Sequence, residues 1–119
     1  MHELAICQSL LREVERAAHE HGAQAVTAIF VTVGPLSGVE PALLARAFSV
    51  ARVGTIADEA QLEIRESGVT VWCDECQQET VVAANALVCG KCQGWQVRLR
   101  SGDELLLQRL ILATDPAAA

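Results

Sequence analysis

The sequence predicts an α+β fold, in which two helices pack on one face of a small mixed β-sheet and a short second unit is inserted before the last strand. Three observations carry this. Apolar residues recur at helical spacing over two segments; β-branched and alternating segments lie between and after them; and beyond Gly68 the periodicity shortens and two close cysteine pairs appear. The 119 residues, 51% hydrophobic and 20% charged, are enough for one ordinary core plus an appendage too small to fold unaided.

From Leu4 to His21, Leu4, Cys7, Leu10, Leu11, Val14 and Ala18 recur every three or four residues, with Arg12, Glu13, Glu15, Arg16 and Glu20 between them, so the segment reads as an amphipathic helix that Gly22 stops. Val26 to Val33 is β-branched and apolar on nearly both faces, which suits a centrally packed strand ended by the turn Gly34-Pro35-Leu36-Ser37-Gly38. Glu40-Pro41 opens a second helix, since proline is accepted at the first helical position. Leu43, Leu44, Ala47, Phe48 and Ala51 form its apolar stripe as far as Gly54. Gln61 to Glu66 alternates apolar and charged residues, the pattern of a strand with one wet face.

Beyond Gly68, Val69–Cys73, Glu79–Ala83 and Trp95–Leu99 read as short strands. These thirty or so residues need a staple, because so short a segment cannot build its own core. Glu104 to Leu112 fits either period. The Gly102-Asp103 turn before it favours a strand returning to the first sheet, and Asp115 to Ala119 reads as a frayed tail.

A net charge of −6, from nine Lys plus Arg against fifteen Asp plus Glu, disfavours a partner bound by neutralising phosphates. Four aromatic residues, Phe30, Phe48, Trp72 and Trp95, leave little with which to stack bases, so no nucleic-acid partner is expected. No membrane partner is expected either, because the apolar runs around 26–33 and 105–112 fall far short of the ~20 residues of a span. Met1-His2-Glu3-Leu4 lacks the basic-then-apolar pattern of a targeting peptide, so a cytoplasmic location is expected. In that reducing compartment five cysteines are not a disulfide framework.

Cys73-Asp-Glu-Cys76 and Cys89-Gly-Lys-Cys92 are two C-x2-C knuckles twelve residues apart. Each turns tightly enough to aim two thiolates at one point, and the spacer is long enough for a hairpin that brings the pairs together. The product is a tetrahedral four-sulfur cage in a zinc-ribbon-like unit, with Gly90 and Gly94 expected to provide backbone freedom. A closed cage of this kind suits structural zinc, while iron in a rubredoxin-like electron carrier is the chemical alternative. A zinc-ribbon adaptor that recruits nucleic acid or a transcription partner is a third reading, opposed by the acidic charge. Cys7, on the buried stripe of the first helix, reads as a small core residue. No nucleophile pattern or phosphate-cradling loop is present, so the chain is expected to be a carrier and not an enzyme.

The N-terminus offers a second metal site. The Met1 amine, the backbone nitrogen of His2 and its imidazole lie within one chelate's reach, and Glu3 or another carboxylate can complete the set. Square-planar nitrogen and oxygen donors select nickel(II) or copper(II) over zinc. Amine and imidazole must shed protons to bind, at reference values of ~8 and ~6.5, so affinity is expected to fall as pH drops through about 6–7.

Met1-His2-Glu3 opening a helix, His21-Gly22-Ala23 at its end, Gly34-Pro-Leu-Ser-Gly-Val-Glu-Pro41, the cysteine quartet and Gly102-Asp103-Glu104-Leu105 together resemble the HypA/HybF family of hydrogenase maturation nickel chaperones, in order along essentially the whole chain. The resemblance implies a nickel-binding domain over 1–68 plus 103–113, a zinc-binding domain over 69–102 and a flexible tail over 114–119. It implies Ni²⁺ as transferable cargo for the large-subunit precursor of nickel–iron hydrogenase, structural Zn²⁺, and a HypB-type GTPase as partner of a monomer or weak homodimer. The nickel ligand maps onto His2, with Met1 and Glu3 as neighbouring donors, and the zinc ligands onto Cys73, Cys76, Cys89 and Cys92. Glu40 stands where some members offer a further acidic donor; its other role is to favour the helix N-terminus through the macrodipole. The knuckles here lack the histidines that some relatives place nearby. His19 and His21, two apart on the first helix, do not share a face and read as solvated.

Overall fold

The computed structural model describes residues 2–114, in the order α1 (His2–Glu20), β1 (Ala25–Val33), α2 (Pro41–Ala51), β2 (Gln61–Glu66), β3 (Val69–Cys73), β4 (Gln78–Val82), β5 (Val97–Ser101) and β6 (Leu105–Ala113). Met1, one of the expected nickel donors, and residues 115–119 of the expected tail lie outside the described residues. Among the described residues no helix is long and apolar enough to cross a membrane.

The strands form two three-stranded sheets, ordered β2-β1-β6 and β4-β3-β5. In the first, β1 is central, as its two-sided apolar character requires, with Val26, Ile29, Val31 and Val33 at most 2% exposed. Val26 N–H donates to the Ile56 carbonyl before β2, and Ser67 N–H after β2 donates to the Val33 carbonyl. Starts and ends therefore match, the parallel sense that a strand–helix–strand crossover demands. β6 runs the other way, with Gln24 N–H on the Ala113 carbonyl and Thr27 Oγ1–H on the Ile111 carbonyl, which makes the sheet mixed. The ambiguous Leu-rich segment is thus a strand, and its Arg109 guanidinium lies 5.2 Å from the Phe30 ring centre.

α1 buries Cys7, Leu11, Val14 and Ala18, and α2 buries Leu44 and Phe48. Cys7 is the expected core residue: it is 1% exposed, its S–H points at the Leu44 carbonyl at 3.4 Å, and burial pushes the thiol up to about 11. After α2, Arg52 covers the Phe48 ring and donates to the Ala60 carbonyl, closing the turns that lead to β2.

Two compact units divide the chain: residues 2–31, 40–64 and 107–114, and residues 32–39 with 65–106. In the second unit β3 is central. It pairs antiparallel with β4 from Val69↔Val82 to Cys73↔Gln78, and with β5 from Cys73↔Val97 to Thr70↔Ser101 across a bulge. β4 begins one residue before its expected position. β5 begins two residues late because the second knuckle keeps the chain turning: Gln93 N–H bonds the Cys89 carbonyl, Cys89 N–H bonds the Gly94 carbonyl, and Val97 N–H bonds the Trp95 carbonyl. Trp95 is therefore outside the sheet and 76% exposed.

Three segments of this unit meet around Glu104. Its carboxylate accepts from Ser67 Oγ–H and from Gly102 N–H, while its carbonyl accepts from Gly34 N–H at 2.7 Å. A Cβ at Gly34 would lie 2.1 Å from the Gly102 carbonyl oxygen, so only glycine allows this approach; Gly102 itself has φ +128°.

Candidate metal centres

The two knuckles have the same local construction. In each, the amide four residues past the first cysteine donates to that cysteine's carbonyl, Gln77 to Cys73 and Gln93 to Cys89, both at 2.8 Å. The donating residue then turns left-handed, with φ +54° at Gln77 and +61° at Gln93. The left-handed positions are thus glutamines, and the glycines serve close approach. Gly90 lies against Thr80 and donates its N–H to Thr80 Oγ1 at 2.9 Å, and Gly94 lies against the Cys92 sulfur.

β3 delivers Cys73 at its end, the first turn delivers Cys76, and the second knuckle delivers Cys89 and Cys92. All four sulfurs fall within 4.8 Å of one another, with Cys73–Cys92 at 3.7 Å and Cys76–Cys89 at 3.8 Å. A tetrahedron with metal–sulfur bonds of about 2.3 Å has edges of about 3.8 Å, so these separations fit a zinc-sized ion at the centre. They are too long for a disulfide, whose sulfurs stand about 2.05 Å apart, and all five cysteines are free.

Amides aimed at the sulfurs complete the cage. Cys76 N–H points at Cys73 Sγ, Lys91 and Cys92 N–H at Cys89 Sγ, and Gly94 N–H at Cys92 Sγ, all at 3.3–3.5 Å. Such donors stabilise thiolate and fix its direction. The amides of Cys92 and then Lys91 bring Cys89 down to about 6, whereas the hydrogen bond with Cys92 and burial push Cys76 up to about 12. Without a cation the cage cannot hold four negative charges; a divalent metal displaces the remaining protons. Around it, Trp72 donates its indole N–H to Asp74, which also pairs with Arg98 at 2.8 Å, and the Arg100 guanidinium lies 5.1 Å from the Trp72 ring centre.

The N-terminal group stands on the first turn of α1, which starts two residues earlier than its apolar periodicity suggested and so takes in His2 and Glu3. His2 Nδ1 is 3.6 Å from Glu3 Oε2; the imidazole is 64% exposed and the carboxylate 14%. Glu3 Oε2 also faces the backbone N–H of Glu40 at 3.5 Å, at the N-terminus of α2. The amide of Glu3 itself, at the open end of α1, holds its carboxyl below the usual carboxylate range, helped by Glu40 and His2. Glu40 thus meets Glu3 through its amide; it is the extended residue before α2, makes no side-chain cap, and its side chain joins no metal-binding group among the described residues. His19 and His21 are exposed, and His21 Nδ1–H bonds the Ala17 carbonyl. The amide contact between Glu3 and Glu40 and the Glu104 junction left no mark in sequence, since each joins residues 37 apart.

Residues 1–112 match the family model described as hydrogenase/urease nickel incorporation, metallochaperone, hypA. The chain is 41% identical to the hydrogenase maturation factor HypA of Nitrosospira multiformis, covering 96% of this chain and 99% of that one. It is 36% identical to the corresponding factor of Aquifex aeolicus, covering 97% and 100%. Among solved structures, the solution structure of the Ni metallochaperone HypA from Helicobacter pylori shares its fold, with a TM-score of 0.70, 24% identity, and coverage of 95% and 98%. A further solution structure of a HypA protein gives a TM-score of 0.74 at 26% identity, covering 97% and 98%.

Proposed function

The chain belongs to the HypA family of nickel metallochaperones that act in hydrogenase maturation, and we propose that it grips its nickel at Met1, His2 and Glu3 while Cys73, Cys76, Cys89 and Cys92 hold structural zinc. Nickel is the cargo and zinc the resident ion. The observation that carries this division is the difference in chemistry between the two sets. Four sulfurs at tetrahedral spacing would close around one ion, whereas the His2 imidazole, 64% exposed beside the Glu3 carboxylate, would leave an ion held there open to a recipient.

In this reading the Met1 amine, the His2 amide nitrogen and the His2 imidazole give nickel three nitrogens, and Glu3 gives an oxygen; Glu40 orients Glu3 through its backbone N–H. Residues 1–68 with 103–113 are assigned to nickel and residues 69–102 to zinc. The family acts with the hydrogenase maturation machinery. The specific partners proposed are a HypB-type GTPase and the large-subunit precursor of nickel–iron hydrogenase, met in the cytoplasm by a monomer or weak homodimer. The chain transfers its ion and catalyses no reaction of its own.

Calorimetric titration of nickel into the untagged chain tests the N-terminal site. One nickel per chain is expected, lost in His2→Ala and lost equally when residues are added before Met1. Nickel binding that survives both changes contradicts it.

A further inference from the structure

The four sulfurs of the cage are not equivalent. Cys73 and Cys89, the first cysteine of each knuckle, are 2% and 0% exposed; Cys76 is half-buried, and Cys92 alone is exposed. Cys89 Sγ, the most buried of the four, receives two N–H groups, whereas Cys73 Sγ and Cys92 Sγ receive one each. The residue beside Cys92 Sγ has no side chain: a Cβ at Gly94 would sit 3.3 Å from that sulfur. Cys92 is thus the exposed residue of the cage, and Cys73 Sγ stands 3.7 Å from its sulfur on the other knuckle.

We infer that Cys92 is the oxidation-sensitive sulfur of the zinc centre, attacked first by a small peroxide and then captured by Cys73 in a disulfide that expels the ion. This rests on the zinc reading above. The chemistry balances. The Cys92 thiolate attacks one peroxide oxygen, the O–O bond breaks, hydroxide leaves, and a sulfenic acid remains. The Cys73 thiolate attacks that sulfur, the S–O bond breaks, and a second hydroxide leaves as the S–S bond forms. Two sulfurs have lost two electrons to the two peroxide oxygens, and Zn²⁺, left with the Cys76 and Cys89 thiolates, dissociates. Exposure selects the site of attack, and proximity selects the partner.

The full-length, zinc-loaded chain is treated with hydrogen peroxide in the presence of a chromogenic zinc chelator, and the product is alkylated and digested with trypsin. Cleavage after Lys91 separates Cys92 from the other three cage cysteines. The expected result is one zinc released per chain, a chain mass about 2 Da lower, and a cross-linked pair of peptides joined through Cys73 and Cys92. Gly94→Ala, with its methyl against the sulfur, releases zinc roughly threefold more slowly, as restricted access predicts. A disulfide within one knuckle, first oxidation at Cys76, or an unchanged rate in Gly94→Ala would overturn the assignment and leave the zinc site standing. A purified chain that binds no zinc at all would overturn both.

Discussion

Removing zinc is the perturbation whose effect the structure constrains most tightly. Within residues 69–101 the only buried apolar side chains besides Cys73 and Cys89 are Val69 and Val71, 2% and 1% exposed. Full burial of a valine is worth about 1.5–3 kcal/mol, so the pair supplies about 3–6 kcal/mol. A structural zinc ion in such a cage supplies about 10–16 kcal/mol, two or three times as much and comparable with the whole stability of a domain. Chelation therefore unfolds β3, β4 and β5. The chain has two tryptophans, Trp72 and Trp95, and both lie in this segment, so indole emission reports on it alone. Trp95 is 76% exposed already and contributes little change. Trp72, half-buried, tied to Asp74 and covered by Arg100, loses that environment and shifts to the red. Hydrogen exchange should show amides of 69–82 losing protection together with the emission change, and restored zinc should reverse both. A metal-free chain with native emission and protected amides would show that the segment folds without zinc.

Other perturbations have equally definite outcomes. Gly34→Ala drives a methyl into the Gly102 carbonyl and breaks the hydrogen bonds of Gly34 to Glu104 and Leu36 to Gly102, so chemical denaturation should show a loss of ~3 kcal/mol or more. Glu104→Gln should melt at lower temperature at pH 7, because Ser67 and Gly102 hold the carboxyl below its usual range. A lowered folded-state value adds stability above the ordinary carboxylate range, near pH 4, that disappears as pH falls through the folded value; the gap between variant and parent should therefore narrow by pH 3 in thermal melts. Cys7→Ala should leave zinc content unchanged and cost about 1 kcal/mol in denaturant titrations, as expected of a packing residue.

Much of this molecule was legible in its sequence where one physical signal dominated. The helical stripe of α1, the β-branched run of β1 and the alternation of β2 each admitted one period, and each element lies within two residues of its expected bounds. The cysteine spacing fixed the cage because two C-x2-C turns have few other ways to use four thiols. β6 was harder, since Leu105-Leu-Leu-Gln-Arg-Leu-Ile-Leu suits either period; the turn before it favoured a strand, and in the structure that strand takes the second edge of β1. Trp95 misled because its β propensity is high, yet local hydrogen bonds of the knuckle outweigh propensity there. The left-handed turns at Gln77 and Gln93 carry no glycine to announce them. The electron-carrier and adaptor readings, which cysteine spacing alone left open, differ from the nickel metallochaperone role that the family model over residues 1–112 describes.

Two metals in two chemically different sites leave two different spectra. The absorption spectrum of the zinc-containing chain after addition of one equivalent of nickel tests this arrangement most directly. Weak ligand-field bands of nickel in nitrogen and oxygen coordination are expected, with one zinc retained per chain. Intense sulfur-to-nickel charge transfer, accompanied by release of zinc, would place the cargo on the cysteines and contradict it.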